Sequence, residues 1–179
     1  YKSLKSDFPI LQKKIRNNNI TYLDTASTSQ KPNSVIESIT NFYQNSYENV
    51  HRGMNSLSID ATEIFEASRE KIKNFINAKS SNEIIFTKNA TEGTNIIAHA
   101  MSSLLNDGDE IITTELEHHS NFLPWLSLCI NKNLKFKVIP LLPNGTIKEE
   151  DVINAISSST KLVAISHMSN VTGQMIDVK

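Results

Sequence analysis

The sequence has a single cysteine, Cys129, among its 179 residues. One thiol excludes an internal disulfide and a metal cluster built from several cysteines, and it permits a reducing compartment. Long apolar runs are also missing, since stretches such as residues 122–126 and 162–165 are far too short to span a bilayer. The formal net charge is only −1, so no basic excess indicates binding to nucleic acid or to an anionic membrane. We expect neither as a partner.

The chain begins at Tyr1 and has no basic, apolar leader ahead of its first predicted element. A targeting segment, if the protein has one, is therefore expected to lie outside these residues. Hydrophobic residues make up 39% of the chain and charged residues 21%, which is an ordinary globular balance. The length suits one sizeable domain better than two.

The order of the predicted elements defines the fold class. Apolar residues at helical spacing follow Pro32, and a longer amphipathic pattern covers residues 55–77, so two helices are predicted there after a short strand at 21–24. From residue 83 onward, strands and helices alternate. The predicted strands cover residues 83–87, 110–114, 135–140 and 161–166, and the predicted helices cover 92–105, 121–131 and 148–157. This alternation predicts an α/β fold with a mostly parallel sheet flanked by helices, of which the chain carries only a part.

The turn at residues 88–95 follows a predicted strand and opens a helix. The loop after a parallel strand faces the ligand crevice, and the start of a helix offers unpaired N–H groups that suit a phosphate. We expect Thr91 to cap this helix and to offer its hydroxyl to a phosphate oxygen, and Gly93 to let the backbone come close. A plain capped helix without a ligand explains the same residues, so both interpretations stay open.

Two further polar turns follow strands in the same way. His118 and His119 come after the strand predicted at 110–114, and Asn170 comes after the last predicted strand. Adjacent histidines in extended chain point to opposite sides, and no other ligand cluster supports them, so we expect no metal site. His118 either stacks on a flat ligand ring or caps the next helix, and Asn170 either donates to a ligand oxygen or shapes a turn. Because both follow parallel strands, as Thr91 does, we expect all three to border one crevice.

These residues belong to a longer series of short motifs. The sequence resembles the SUF-pathway (SufS-like) cysteine desulfurases, which are class V aminotransferase-family enzymes of fold-type I that depend on pyridoxal 5'-phosphate (PLP). The matching motifs run in order along nearly the whole chain: DFPI at 7–10, YLD at 22–24, Ala26, QKP at 30–32, NVHRG at 49–53, TEG at 91–93, Asn95, EHH at 117–119, Asn121, PW at 124–125, His167 and SNV at 169–171.

The resemblance implies the N-terminal part of a fold-type I PLP-dependent transferase. Residues 1–50 would contribute to the small domain and the active-site entrance, and residues 51–179 would form an incomplete large PLP-binding domain. Thr91, with backbone amides of its turn, would hold the cofactor phosphate. The family often carries a second threonine where Ala90 stands, so at Ala90 a backbone amide would have to replace a hydroxyl. His118 would stack on the pyridine ring and take part in proton transfer, and Asn170 would bind the phenolic oxygen.

Further matching residues would lie near the substrate or the dimer interface. Ala26 would lie beside the substrate, and the others in this group are His51, Arg52, Glu92 and Asn95. The family's PLP-binding lysine, the aspartate that pairs with the ring nitrogen and the nucleophilic cysteine would all fall after Lys179, so this chain is expected to be inactive alone. Cys129 is not that nucleophile, because it lies on an apolar helix face that should be buried.

The activity implied is the conversion of L-cysteine to L-alanine and an enzyme persulfide for iron–sulfur cluster assembly. The implied partners are a sulfur-acceptor protein of the SUF system and, in the complete enzyme, a second copy in a homodimer. A selenocysteine lyase or another class V enzyme would share these motifs, and a non-catalytic fragment that serves as a folding or dimerisation unit is a third alternative. The expected location is cytoplasmic or organellar. The Lys-, Asn- and Ile-rich composition is typical of an AT-rich genome, and a plastid is the alternative if the source is an AT-rich eukaryote and a leader has been removed.

Overall fold

The structure, a computed structural model, describes residues 2–178, and its contacts divide the chain into two units at residues 85 and 86. The first unit is mainly helical. Its elements are α1 (Lys2–Lys5), the short strands β1 (Lys14–Ile15) and β2 (Asn18–Asn19), α2 (Asn33–Asn45) and α3 (Ser56–Phe75), with 3-10 turns at Pro9–Gln12 and Ser81–Glu83. Both helices predicted in this region are therefore confirmed.

Local capping explains where the two long helices begin. Pro32 stands just before α2 in an extended conformation, which its fixed φ favours. The side chain of Asn55 caps α3 by accepting a hydrogen bond from the Ser58 N–H at 2.9 Å. Of the amphipathic face of α3, only Ser58 and Ala61 are buried, whereas Leu57, Ile64 and Ile72 are each more than 40% exposed.

The strands predicted at residues 21–24 and 83–87 are wrong. Residues 21–24 form no ladder, and the Tyr22 hydroxyl instead donates to the Thr28 carbonyl at 2.6 Å in a series of turns. Ile84 has extended backbone, but its carbonyl accepts from the Arg69 guanidinium rather than from another strand. The apolar residues of these segments favour extended backbone, but a strand also needs a neighbouring strand with which to pair.

The second unit is the α/β part of the chain. In order it contains α4 (Ala90–Met101), β3 (Glu110–Thr114), a 3-10 turn at His119–Asn121, α5 (Leu123–Lys132), β4 (Lys135–Ile139), α6 (Glu149–Ala155) and β5 (Thr160–Ala164). The three strands form a parallel sheet in the order β4–β3–β5. The predicted parallel sheet is thus confirmed for its last three strands, and the helices α4, α5 and α6 are each one to three residues shorter than predicted.

Strand β3 lies at the centre of the sheet, and all five of its residues are buried. Successive side chains of a strand point to opposite faces, so Ile111 and Ile112 enter two different cores. Ile111 packs with Ala98 of α4 and with Leu128 of α5, while Ile112 packs with Val152 of α6. The helices therefore cover both faces of the sheet, which leaves the carboxyl ends of the strands to carry loops.

The contacts group α3 with the residues before it rather than with the sheet. Within the first unit, the Thr62 hydroxyl accepts from the His51 N–H at 2.8 Å, and Arg69 reaches Ile84. The division predicted after residue 50 concerns the domains of a longer protein and stays a prediction. Within residues 2–178, no helix is both long enough and apolar enough to cross a membrane.

Candidate functional site

A shallow concavity of about 410 Å³ in the second unit brings together two of the predicted site residues. Thr91 and Asn95 reach it from the first turns of α4, and His118 reaches it from the loop that leaves β3. The remaining lining residues come from that loop and from α5: His119, Ser120, Leu123, Pro124 and Ser127. Thr91 and His118 therefore lie on the same face of this unit, as a shared crevice requires.

The start of α4 is capped by Asn89, not by Thr91, so that part of the prediction is wrong. The Asn89 side chain accepts from the Glu92 N–H at 2.9 Å, and the Glu92 carboxylate accepts from the Lys88 N–H at 2.6 Å. This reciprocal arrangement resembles a capping box. Helix α4 begins one residue after Asn89, at Ala90, so Thr91 occupies its second position and is free of the capping role.

Within the described part of the chain, the cap leaves three hydrogen-bond donors unpaired at this helix end, namely the Ala90 N–H, the Thr91 N–H and the Thr91 hydroxyl. The first N–H group bonded back along the helix is that of Gly93, which donates to the Asn89 carbonyl at 3.2 Å. Among the residues that the structure describes, none accepts from the Ala90 and Thr91 N–H groups or pairs with the Thr91 hydroxyl. Two N–H groups at the positive end of a helix, with a hydroxyl beside them, are the donors that a phosphate group takes.

The close approach to a ligand expected at Gly93 stays a prediction, because contacts within the chain do not require a glycine there. A Cβ added at Gly93 would meet only the Thr87 hydroxyl, at 3.6 Å, which is an ordinary contact. Asn95, one turn further along, donates through its amide to the Thr91 carbonyl at 2.8 Å. Asn95 thus braces the backbone of the helix start while it lines the concavity.

His118 has the capping role that one interpretation of the sequence predicts, and the ring-stacking role stays a prediction. It caps the 3-10 turn that follows, because its Nδ1 accepts from the Ser120 N–H at 3.1 Å, and it also lines the concavity. The Ser120 hydroxyl lies 2.8 Å from the same nitrogen. An Nδ1 atom that accepts from an N–H carries no proton, so the proton of a neutral His118 lies on Nε2. Sequence reasoning missed Ser120, which its spacing two residues after a capping side chain could have indicated.

The loop that follows β5 carries Asn170, and it starts beside the loop that follows β3. Asn170 is not among the residues that line the concavity. The side chain of Asn170 is exposed, and the turn around it is held by the Ser169 hydroxyl, which accepts from the Val171 and Thr172 N–H groups at 3.2 Å. The link between the two loops is Glu117, whose buried carboxylate accepts from the Ser166 N–H at 2.8 Å. The predicted contact of Asn170 with a ligand stays a prediction.

The predicted site residues of the first unit lie in two turns. Ala26 is exposed in the turn that follows Asp24. His51 has a left-handed backbone (φ 72°) and its Nε2 lies 2.7 Å from Glu66, while Arg52 is exposed in the same turn. The hydrogen bond from His51, together with the Arg69 charge, lowers the pKa of the Glu66 carboxyl below its usual range. The substrate or interface roles of these residues and of Glu92 stay predictions.

Cys129 is buried on α5, 3% exposed, as its apolar surroundings predict. Desolvation by burial raises the pKa of the Cys129 thiol to about 11. A thiol with so little thiolate is a poor nucleophile near neutral pH. Among residues 2–178, no three His, Cys, Asp or Glu side chains lie together as metal ligands would.

The fold and the comparisons with known proteins agree. The second unit has the parallel sheet and flanking helices of the fold-type I PLP-dependent transferases. The apo cysteine desulfurase of Thermococcus onnurineus NA1 superimposes with a TM-score of 0.88 at 36% identity, over 99% of this chain and 42% of that one. The cysteine desulfurase CsdA of Escherichia coli gives 0.81 at 33% identity, over 98% and 43%. A C-DES variant with glycine covalently linked to its PLP cofactor is only 22% identical and shows the fold alone.

Sequence comparison gives the family. The Aminotransferase class-V model matches residues 21–179, so the chain belongs to the class V aminotransferase family. It is 43% identical over 171 residues to cysteine desulfurases of Salmonella dublin and Salmonella typhimurium. Those matches cover 95% of this chain but only 42% of each relative, so the chain spans less than half of their length.

Proposed function

We propose that this chain is the cofactor-binding N-terminal part of a PLP-dependent cysteine desulfurase. The observation that carries the proposal is the concavity shared by Thr91 and His118. On one side it offers a hydroxyl and two helix-start N–H groups, and on the other an imidazole ring. Relatives named cysteine desulfurase, at 43% identity, support the same assignment.

The residues present fit a phosphorylated ring. The Thr91 hydroxyl and the N–H groups of Ala90 and Thr91 bind the phosphate, since three donors at a helix start match its acceptor oxygens. His118 lies against the ring and holds its proton on Nε2, because Ser120 occupies Nδ1. Asn170 binds the phenolic oxygen. When bound, PLP supplies an electron sink for the substrate carbon.

The finer assignments follow from the same family. The substrate is L-cysteine, the products are L-alanine and a persulfide on a cysteine outside this chain, and the acceptor is a protein of the SUF system for iron–sulfur cluster assembly. The complete enzyme is a homodimer, with Ala26, His51 and Arg52 near the substrate or the subunit interface. Glu92 and Asn95 support the phosphate turn from within α4. We propose a cytoplasmic or organellar location, with a plastid as the alternative.

The phosphate contact is tested by Thr91→Val and Thr91→Ser in the complete gene product that contains this chain. A hydrogen bond to a charged group contributes roughly 1.5–3 kcal/mol, so the valine variant should bind PLP roughly 10- to 100-fold more weakly. The serine variant keeps the hydroxyl and should stay near the unsubstituted protein. Thr94→Val is the matched control, because the Thr94 hydroxyl bonds to the Ala90 carbonyl at 3.0 Å and Thr94 does not line the concavity. PLP affinity is measured by titration of the visible absorption of the bound cofactor.

Ring contact and proton transfer are separated by His118→Phe and His118→Ala. The phenylalanine variant should retain PLP but lose turnover, while the alanine variant should weaken both. His99→Ala is the control, since His99 lies in the last turn of α4, away from the concavity. The rate at which alanine forms from L-cysteine is compared with the rate from L-selenocysteine, and the preferred substrate distinguishes a desulfurase from a selenocysteine lyase. Persulfide formed from L-cysteine is measured alongside. Full PLP affinity in the double variant Thr91→Val/His118→Ala would show that PLP does not bind in this concavity.

A further inference from the structure

Four hydrogen-bond donors converge on the carboxylate of Glu117, which is only 9% exposed. Its Oε1 accepts from the Thr114 hydroxyl at 3.1 Å and from the Ser166 N–H at 2.8 Å. Its Oε2 accepts from the Asn121 amide at 2.7 Å and from the Ser166 hydroxyl at 2.7 Å. The four contacts occupy both oxygens of the carboxylate. A buried carboxylate with four donors is a structural fixture rather than a general base, since neither oxygen is free.

The partners of Glu117 belong to two different loops. Thr114 ends β3 and Asn121 ends the 3-10 turn after it, so these contacts fix the loop that carries His118. Ser166 follows β5, at the start of the loop that carries Asn170. Glu117 therefore ties together the loops at the carboxyl ends of two adjacent parallel strands.

The hydrogen-bond network of Glu117 continues through Asn121 to Trp125, the only tryptophan in the sequence. The Asn121 amide donates to Glu117 through Nδ2 and accepts at Oδ1 from the Trp125 indole N–H, at 3.1 Å. The orientation of that amide is thus fixed at both ends, because a flipped amide would set a donor against the indole N–H. Trp125 is 4% exposed, so its fluorescence reports on this buried chain of hydrogen bonds.

We propose that Glu117 is a positioning residue, which holds the His118 loop and the Asn170 loop at a fixed separation so that both reach the same bound PLP ring. The proposal rests on the proposed function, since it gives the two loops a common ligand. Glu117 does not line the concavity and acts through its neighbours. Glu117 sets the position of the His118 loop relative to the Asn170 loop, which neither β3 nor β5 determines alone.

The test exchanges the donor and the acceptor in the hydrogen bond between Asn121 and Glu117. In Glu117→Gln either orientation of the new amide sets its N–H₂ against another donor, the Asn121 N–H₂ or the Ser166 N–H. In Asn121→Asp two carboxylates oppose each other. The double variant Glu117→Gln/Asn121→Asp restores a donor facing an acceptor, and the aspartate still accepts from Trp125. Glu115→Gln is the matched control, because Glu115 lies two residues earlier and its exposed carboxylate bonds to the Leu141 N–H at 2.7 Å.

Three measurements are made on the complete gene product: Trp125 fluorescence and hydrogen exchange of the Ser166 amide without cofactor, and PLP affinity. Each single variant should change the fluorescence, speed Ser166 exchange roughly tenfold and weaken PLP binding roughly tenfold. The double variant should recover most of each effect, and Glu115→Gln should change none. Ser166→Ala, which removes one hydroxyl only, should give a smaller shift in the same direction and covers the case in which a Glu117 variant fails to fold.

The outcomes separate this proposal from the proposed function. If the unsubstituted protein binds no PLP, the proposed function fails and the shared ligand fails with it. If PLP binds normally in Glu117→Gln while fluorescence and exchange change, the network exists but positions nothing for the cofactor, and only this proposal is overturned. If the double variant is no better than either single variant, the contact between Glu117 and Asn121 is not the one described.

Discussion

Gly53 lies in the turn that carries His51 and Arg52, and the substitution Gly53→Ala should destabilise that turn strongly. A Cβ at residue 53 would lie 2.1 Å from the Ser58 Oγ and 2.3 Å from the Ser58 Cβ, far inside van der Waals contact. Ser58 cannot simply move away, because it is 1% exposed and its hydroxyl donates to the Asn49 carbonyl at 2.5 Å. Rotation of the hydroxyl would break that bond and would leave the contact between the two Cβ atoms.

The expected magnitude follows from two contributions. Overpacking a buried site costs about 1–3 kcal/mol, and loss of the hydrogen bond between Ser58 and Asn49 costs about 1 kcal/mol more. The free energy of unfolding should therefore fall by roughly 2–4 kcal/mol, which is a drop in Tm on the order of 10–20 °C for a unit of this size. Urea unfolding followed by far-UV circular dichroism measures it, since α2 and α3 supply much of the helical signal.

Two further variants show whether the clash is the cause. Gly93→Ala adds the same methyl group inside α4, where it meets only an ordinary contact, and it should be neutral or stabilise by up to about 1 kcal/mol. Ser58→Gly removes both clashing atoms, so Gly53→Ala should cost much less in that background. Equal stability of the two glycine-to-alanine variants, to within about 0.5 kcal/mol, would refute the reasoning.

Two predictions concern titration. Burial raises the pKa of Cys129 to about 11, above the value of about 8.5 in an unfolded chain, so the unfolded state loses this proton first as the pH rises. The free energy of unfolding should therefore fall between about pH 8.5 and 11, by up to about 1.4 kcal/mol per pH unit. Urea unfolding across that range should show the decline, Cys129→Ala should lose it, and rapid labelling of the native thiol by a thiol reagent at pH 7 would contradict it. The lowered pKa of Glu66 predicts the opposite sign: its contribution is complete above the unfolded value of about 4.3 and disappears as the pH falls through the folded value. Glu66→Gln should flatten the acid limb of the stability curve, and an unchanged limb would show that the contact with His51 contributes nothing.

The sequence was most informative where apolar pattern and burial coincide. The strands β3, β4 and β5 and the long helix α3 were predicted in type and nearly in extent, because the strands alternate with helices and α3 carries a long amphipathic pattern. The segments 21–24 and 83–87 show the limit of that signal. Their residues favour extended backbone, but whether extended chain becomes a strand depends on a neighbour that the pattern does not contain.

The sequence predicted that Thr91 and His118 lie near each other, but it did not predict the contacts that support their loops. His118 was singled out because it follows β3, a rule of topology that needs no coordinates, and Thr91 because it opens a helix after an extended segment. The contacts of Glu117 with Ser166 depend on side-chain directions across 49 residues of sequence separation. A glutamate before a histidine pair gives no sign that its carboxylate faces inward.

The capping of α4 has a consequence for how an anion enters and leaves. Asn89 and Glu92 close the helix start from within the chain, using the N–H groups of Glu92 and Lys88. The donors that remain are not needed to keep the first turn wound, so arrival or departure of a phosphate requires no refolding of that turn. If this site binds a phosphate group as proposed, the helix start keeps the same backbone whether or not the anion is bound.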